Sequence, residues 1–230
     1  DLDDLVDSYR VLISIGGPRE VGFRLSLAEL QRSVGEVAAA VKTLEEALKA
    51  FPKNGFVRIG LAEAYAVQKR PANALQTLRS LSFDDHPAAA NVTLFALGSL
   101  KASPNSRSLG SYLGTFGSRL EASSELQPSD HLLLAELFQG NGDRTRATRL
   151  FRRVISRSKR PGDLARAHFF LGNATSARRY QQEHIRKLPR PSSEDYRLLG
   201  DIHAQLADEE SAQRAYRTAL ALLPRQSPRR

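Results

Sequence analysis

The stretch RLLGDIHAQLADEESAQRAYRTALALLP, residues 197–224, contains two segments with helical periodicity that are separated by the polar turn ADEES. Small and large side chains occupy fixed offsets in it: Gly200, Ala212, Tyr216, Ala219 and Pro224. Because antiparallel helices approach closely only where side chains are small, the glycine and the alanines predict the contact points, and the tyrosine predicts a wedge between them. The proline is expected to end the second helix, since it has no N–H to donate. The stretch therefore predicts a helical hairpin.

The same spacing recurs along the chain. Counted from the small residue of each first helix, three further sets match it: Ala28, Ala40, Leu44, Ala47 and Pro52; Ala62, Tyr65, Ala74, Leu78 and Leu81; Ala135, Phe138, Ala147, Phe151 and Val154. This spacing resembles the tetratricopeptide repeat, and the 34 residues from Ala28 to Ala62 equal that family's period. The resemblance implies an all-α fold in which antiparallel helix pairs stack into a right-handed superhelix.

The resemblance divides most of the chain into six helix pairs. Their expected bounds are 21–54, 55–90, 91–127, 128–161, 162–191 and 192–226, of which 91–127 is degenerate and 162–191 is short. Residues 1–20 are interpreted as a helix left from a preceding repeat, and residues 227–230 as a basic tail. Polar side chains replace the family's aromatic residue at three positions, where the local packing is expected to differ from the family pattern: Gln31, His168 and His203.

Three glycines distinguish the degenerate pair. When Gly98 is taken as its small residue, Gly110, Gly114 and Gly117 fall at the family's packing positions in the second helix. Each glycine costs about 1 kcal/mol of helix propensity relative to alanine, so we expect a very close neighbouring helix to offset that cost. On this interpretation, Gly114→Leu should destabilise the protein. The alternative is a local groove or a hinge.

Composition and motifs exclude several classes of protein. There is no cysteine, so disulfides, thiolate catalysis and cysteine-based zinc sites are excluded. No apolar run approaches the roughly 18 residues of a membrane-spanning helix. Nucleotide-binding, zinc-protease and serine-hydrolase motifs are absent, and the five histidines show no metal-ligand spacing. The sequence therefore favours a protein that is not an enzyme and that needs neither a cofactor nor a metal.

The beginning of the sequence and its lack of cysteine bear on the compartment. The chain begins at Asp1 without a leader, which predicts a mature form or an excised piece. A cysteine-free chain fits the bacterial periplasm. Arrays of this family occur there in exopolysaccharide export machines, so a scaffold of such a machine is one alternative function.

The first helices of such an array line its concave surface, which implies a groove for a protein or peptide partner. Positions three before and one after each small residue share a helix face and predict an apolar row beside an acidic row. The candidate residues are Leu25, Ile59, Phe95 and Leu132 in the apolar row, and Glu29, Glu63, Glu136 and Asp201 in the acidic row. The alternative is that each carboxylate pairs with a basic residue of a neighbouring repeat and only keeps the surface soluble.

A basic segment, residues 144–160, carries eight Arg or Lys residues and no acidic one. Its candidate binding residues are Arg144, Arg146, Arg149, Arg152, Arg153 and Arg157. They suggest a partner with many negative charges, such as a polysaccharide or a nucleic acid, whereas the alternative is the solvated face of an amphipathic helix. The absence of interleaved aromatic residues favours the solvated face and argues against nucleic acid.

Overall fold

The structure, a computed structural model, describes residues 2–102 and 106–223. Over these ranges it contains thirteen α-helices, a short 3-10 turn and no strand. The chain divides into two compact units, unit 1 at residues 1–126 and unit 2 at residues 127–230. The predicted all-α fold of antiparallel helix pairs is confirmed. Pro224 and the basic tail lie outside the described residues.

The described residues of unit 1 form seven α-helices. They are α1 (Leu2–Ile15), α2 (Glu20–Ser33), α3 (Val37–Ala50), α4 (Gly55–Val67), α5 (Pro71–Leu78), α6 (Ala88–Lys101) and α7 (Leu109–Ala122). Helix α1 packs on α2, and the hairpins that follow are α2 with α3, α4 with α5 and α6 with α7. Neighbouring hairpins stack on one another through two further contacts: α3 packs on α4, and α5 packs on α6.

Up to residue 223, unit 2 contains six α-helices in three hairpins. They are α8 (Pro128–Gly140), α9 (Arg144–Arg157), α10 (Pro161–Phe170), α11 (Ala174–Lys187), α12 (Ser193–Gln205) and α13 (Glu209–Ala221). Side chains at the N-caps of the three second helices, Asp143, Asn173 and Asp208, each accept a backbone N–H from the first turn. These caps satisfy donors that have no partner within the helix, and so they fix where each second helix begins.

The hairpin turns share a backbone constraint. Five of them contain a residue with φ between 59° and 87°, always seven positions after the small residue of the first helix. These residues are Gly35, Lys69, Gly142, Gly172 and Ala207. Glycine adopts this left-handed conformation without strain, whereas Lys69 and Ala207 adopt it at a cost. The turn position is therefore set by the register of the hairpin and is not restricted to glycine.

The small residues predicted from the opening stretch lie at helix contacts. A Cβ atom at Gly200 would overlap the ring of Tyr216 on α13, so only glycine allows the ring to lie this close to α12. The Tyr216 hydroxyl also donates a hydrogen bond to Asp201 Oδ1 at 2.9 Å. Ala212 and Ala219 are buried on the same face of α13. The ring thus fills the space between the two helices, as the spacing predicts.

The polar residues at the aromatic positions interact with the second helix of their own hairpin. Gln31 is buried and accepts a hydrogen bond from the Thr43 hydroxyl at 2.9 Å. His168 stacks on Tyr180, with ring centroids 5.5 Å apart. His203 Nδ1 lies 3.1 Å from Asp208 Oδ2 at the start of α13. Each departure from the family pattern is therefore accommodated within its hairpin.

The predicted register of α7 is wrong by one residue. The buried face of this helix is formed mainly by large apolar residues, namely Leu109, Leu113, Phe116 and Leu120, with Gly117 beside them. Gly114 is exposed, and a Cβ atom built there meets nothing within 4 Å. The small-residue position of α6 is occupied by the fully buried Leu97 rather than by Gly98. Gly114 therefore does not mark a close helix contact.

Replacing Gly114 by alanine should stabilise unit 1 by up to about 1 kcal/mol, because the site is helical and open and alanine has the higher helix propensity. Gly35→Ala is a matched control, since its Cβ would also meet nothing within 4 Å but its φ is +85°. The control should destabilise the protein by about 1 kcal/mol. Chemical denaturation measures both, and a loss of stability in Gly114→Ala would restore the predicted helix contact.

Candidate functional site

Helices α2, α3 and α4 of unit 1 enclose an open cavity of about 280 Å³, hereafter the apolar groove. Its apolar lining consists of Leu25, Ala28, Ala40, Leu44, Phe56, Ile59, Gly60 and Ala64. Gly60 forms part of the floor, because a Cβ atom there would already lie 3.4 Å from Leu44 Cδ2. Phe56 stands at the edge with 65% of its surface exposed. The groove therefore combines a floor of small residues with a protruding aromatic wall.

The charged rim of the groove is a three-residue ion cluster. Arg32 Nη2 lies 2.5 Å from Glu29 Oε2, and Arg32 Nη1 lies 2.8 Å from Glu63 Oε2. Burial lowers the pKa of Arg32, but the hydrogen bonds and negative charges of Glu63 and Glu29 outweigh it, so the pKa is raised. With two carboxylates and one guanidinium, the rim carries a net charge of −1.

The structure brings four of the eight predicted groove residues together. Leu25, Ile59, Glu29 and Glu63 all line the apolar groove. Phe95 is 57% exposed on α6 and does not contribute to that lining. The remaining three lie in unit 2, where Leu132 and Glu136 are buried in α8 and Asp201 lies on α12. A role of these three residues in binding stays a prediction.

The acidic residues of unit 2 are paired within the unit. Glu136 is buried, and Arg166 Nη2 on α10 lies 2.8 and 2.9 Å from its two carboxylate oxygens. Asp201 lies 3.3 Å from Arg197 Nη1 in addition to its hydrogen bond with Tyr216. Like Glu63 with Arg32, Glu136 is thus neutralised by an arginine of the adjacent hairpin. This is the arrangement that the alternative interpretation of the acidic row anticipates.

Sequence reasoning did not assign seven of the eleven lining residues to the groove, and three of these seven shape its rim, floor and edge: Arg32, Gly60 and Phe56. Arg32 follows Glu29 by three positions, a spacing that predicts an ion pair on one helix, but its bond to Glu63 depends on how two hairpins stack. Gly60 lies in the middle of α4, where glycine weakens the helix and therefore signals a packing or binding constraint. Apart from the apolar side chain itself, no feature of the sequence identifies Phe56 as a groove residue.

The basic segment is divided between two environments on α9. Arg144, Arg149 and Arg152 are exposed and surround a shallow cleft with two threonines. In contrast, Arg146 turns back to Asp143 Oδ2 at 3.4 Å and lies over the Phe138 ring. Arg153 is half-buried. Arg157 is exposed but, like Arg146 and Arg153, does not line the cleft, so three of the six candidate arginines surround it.

His131 lies buried in α8, near the C-terminal part of the basic segment. Burial lowers its pKa, the positive charges of Arg153 and Arg157 lower it further, and the hydrogen bond to the Gln127 carbonyl and the charge of Asp130 act in the opposite direction. The net shift is downward. The folded protein therefore favours the neutral imidazole.

Neither a metal site nor a membrane span is evident in the part of the chain that the structure describes. No group of three or more His, Asp or Glu side chains in residues 2–102 and 106–223 is arranged to hold a metal ion. Over the same residues, no helix is both long enough and apolar enough to cross a bilayer.

Comparison with known protein families agrees with the hairpin architecture. Two sequence profiles described as tetratricopeptide repeats match the chain, one over residues 31–93 and the other over residues 131–165. The chain therefore contains tetratricopeptide repeats. A comparison with curated protein sequences gives no significant match.

Solved structures of other proteins share the fold. A tetratricopeptide repeat protein from Parabacteroides merdae is 19% identical, with a TM-score of 0.58 over 98% of this chain and 88% of that chain. PilW, a type IV pilus biogenesis factor, is 18% identical, with a TM-score of 0.63 over 92% of this chain and 97% of that chain. The APC/C hetero-tetramer Cut9-Hcn1 is 14% identical, with a TM-score of 0.58 over 98% of this chain and 44% of that chain. At these identities the likeness concerns the fold alone.

In this tetratricopeptide protein, Arg166→Met should destabilise unit 2 by roughly 1–3 kcal/mol, because it removes a guanidinium group that lies 2.8 Å from the buried Glu136 carboxylate. Arg197→Met removes an arginine from a more exposed pair and should cost less than about 1 kcal/mol. Urea denaturation compares the two variants. Equal losses would mean that burial of Glu136 does not set the strength of the pair.

The lowered pKa of His131 predicts acid sensitivity. Because the folded pKa lies below the ordinary value of 6.5, the unfolded chain takes up a proton first as the pH falls. The stability that this group contributes is present above pH 6.5 and is lost as the pH falls through the folded pKa. The free energy of unfolding of His131→Gln should therefore decline less between neutral and acidic pH than that of the wild type. An unchanged pH dependence would contradict the assignment.

Proposed function

We propose that the protein is a non-catalytic scaffold that holds a segment of a partner protein in the apolar groove of unit 1. Tetratricopeptide repeats support a protein–protein interaction scaffold in general. The observation that carries the specific proposal is the groove itself, in which an exposed phenylalanine and a glycine floor leave apolar surface open to solvent. Exposed apolar surface with a polar rim is characteristic of interaction sites.

The dimensions of the groove favour a side chain as its occupant. At about 280 Å³, it lies just below the range of roughly 300–1,000 Å³ that is usual for small-molecule sites. Leu25, Leu44 and Ile59 offer apolar contacts to an inserted side chain. Burying a large apolar side chain contributes about 1.5–3 kcal/mol, so one such anchor supports modest affinity.

The charged rim favours a ligand that carries a basic residue next to the apolar anchor side chain. Glu29 remains 65% exposed at its side chain even though it is paired with Arg32. A lysine or arginine next to the anchor can approach Glu29 and balance the net charge of the rim. The proposed ligand is therefore a segment in which a large apolar residue is flanked by a basic one.

Two finer expectations go beyond the groove. Scaffolding in a bacterial exopolysaccharide export machine remains a prediction from the resemblance, and a periplasmic location remains a prediction from the absence of cysteine. The groove geometry favours a polypeptide segment, because its lining is mainly apolar while polysaccharides offer mainly hydroxyl groups.

A random peptide library selected on the full chain tests the proposal. Selected peptides should be enriched in apolar residues next to Lys or Arg. Their affinity should fall about tenfold in Phe56→Ala, since a tenfold loss corresponds to about 1.4 kcal/mol and the substitution removes most of the aromatic wall. Fluorescence anisotropy measures the dissociation constants.

Val67→Ala is the matched control, because Val67 lies on the same helix and is 51% exposed but does not line the groove. Binding to this variant should equal that of the wild type. Failure to select any peptide, or equal effects of the two substitutions, would contradict the proposed groove.

A further inference from the structure

The aromatic wall of the apolar groove has a neighbour that lies outside the groove. Phe56 is the second residue of α4, and 65% of its surface is exposed. The imidazole ring of His86, in the segment between α5 and α6, meets the Phe56 ring edge to face, with ring centroids 5.3 Å apart and an interplanar angle of 82°. Aromatic pairs in this geometry attract each other beyond the area that they bury. One flank of an otherwise exposed ring is therefore in contact with a second ring.

The position of His86 depends on the glycine that precedes Phe56. Gly55 is buried at the first position of α4, and a Cβ atom built there would overlap the His86 ring. Its φ lies outside the left-handed region, so glycine is needed here for space and not for backbone conformation. Any other residue at position 55 would displace the imidazole from its place beside Phe56.

Packing, and not hydrogen bonding, orients the imidazole. His86 Nδ1 is buried and has no hydrogen-bond partner in the part of the chain that the structure describes. A buried polar atom without a partner is unfavourable. The other ring nitrogen, Nε2, faces Gly55. The contacts with the first two residues of α4 therefore account for the place of the ring better than its polar atoms do.

The segment that carries His86 is itself anchored. The His86 N–H donates to the Ser82 carbonyl at 3.1 Å, and the Ala89 N–H in the first turn of α6 donates to the His86 carbonyl at 3.0 Å. Phe83 is buried in this segment, and the guanidinium carbon of Arg119 on α7 lies 4.2 Å from its ring centroid. Arg119 also donates hydrogen bonds to two backbone carbonyls where the segment begins. The imidazole is therefore presented to α4 from a fixed backbone.

We propose that His86 is a positioning residue of the apolar groove, which holds the Phe56 ring in the orientation that forms the groove wall. This inference rests on the proposed function of the groove. A ring that is already held loses less conformational freedom when a ligand binds, so the affinity is higher. His86 acts through Phe56, because His86 is not among the residues that line the groove. The segment between α5 and α6 thus determines the affinity of a groove that α2, α3 and α4 form.

A tryptophan introduced at the groove edge tests the positioning without any ligand. The chain contains no tryptophan, so Phe56→Trp in the full chain adds a single fluorophore. Time-resolved fluorescence anisotropy measures the amplitude of its fast local motion. This amplitude should rise about twofold when His86→Ala is added, because exposed side chains without a partner reorient within nanoseconds. Gly55→Ala should raise it as well, since it displaces the imidazole and leaves both rings chemically intact.

Asp85→Ala is the matched control for the motion of the ring. Asp85 is exposed and adjacent to His86, but it takes no part in the ring contact. Adding this substitution to Phe56→Trp should leave the amplitude of the fast motion unchanged. Urea denaturation verifies that each variant is folded under the conditions of the assay.

Peptides selected on the apolar groove test the consequence for binding. His86→Ala should weaken their affinity about threefold, as expected for the loss of one aromatic pair. In the Phe56→Ala chain, His86→Ala should change the affinity less than about 1.5-fold, because substitutions that act through one interaction are not additive. A residue that only stabilises the fold would cause the same loss in both backgrounds. Fluorescence anisotropy of labelled peptides measures the dissociation constants.

Two results would overturn the proposal. If the His86 and Gly55 variants showed the same tryptophan motion as the Asp85 variant, His86 would not hold the ring. If His86→Ala caused equal losses of affinity with and without Phe56, it would act on binding by another route. Failure to select any peptide would contradict the proposed function alone, because the tryptophan motion decides the positioning of the ring without a ligand.

Discussion

The close contact between the two helices of a hairpin is the constraint on which the rest of the structure depends. Gly200 shows it most directly, because the Tyr216 ring occupies the space that a Cβ atom would need. Once this contact is fixed, the turn must reverse the chain within a few residues. A left-handed residue seven positions after the small one achieves the reversal in five hairpins, even where that residue is Lys69 or Ala207.

The apolar groove follows from the way these hairpins stack. Each hairpin buries the inner faces of its two helices, so exposed apolar residues remain where the first helices of neighbouring hairpins meet. In unit 1 that junction contains Gly60, which leaves room between α2 and α4, and Phe56, which extends the wall into solvent. The Arg32 cluster then links α2 to α4 across the rim. This junction therefore contains both the opening of the groove and the ion pairs that connect α2 to α4 across it.

The sequence predicted the hairpins better than it predicted their contacts. Small residues at Ala28, Ala62, Ala135 and Gly200 were sufficient to place four hairpins, because close approach has few chemical solutions. The same criterion failed in α7, where large apolar residues such as Phe116 form most of the packed face and Gly114 points to solvent. Ion pairs between hairpins could not be derived either, since they depend on the distance between residues far apart in the chain.

Charge pairing determines which surfaces can attract a partner at a distance. The carboxylates of the predicted acidic row are paired with arginines, so the apolar groove retains a net charge of only −1 and must select its ligand mainly by shape and apolar contact. The basic residue proposed next to the anchor would contact Glu29, whose side chain is 65% exposed, so that contact is screened by salt. Binding at the groove should therefore weaken only slightly as the ionic strength rises, because apolar contacts supply most of the affinity.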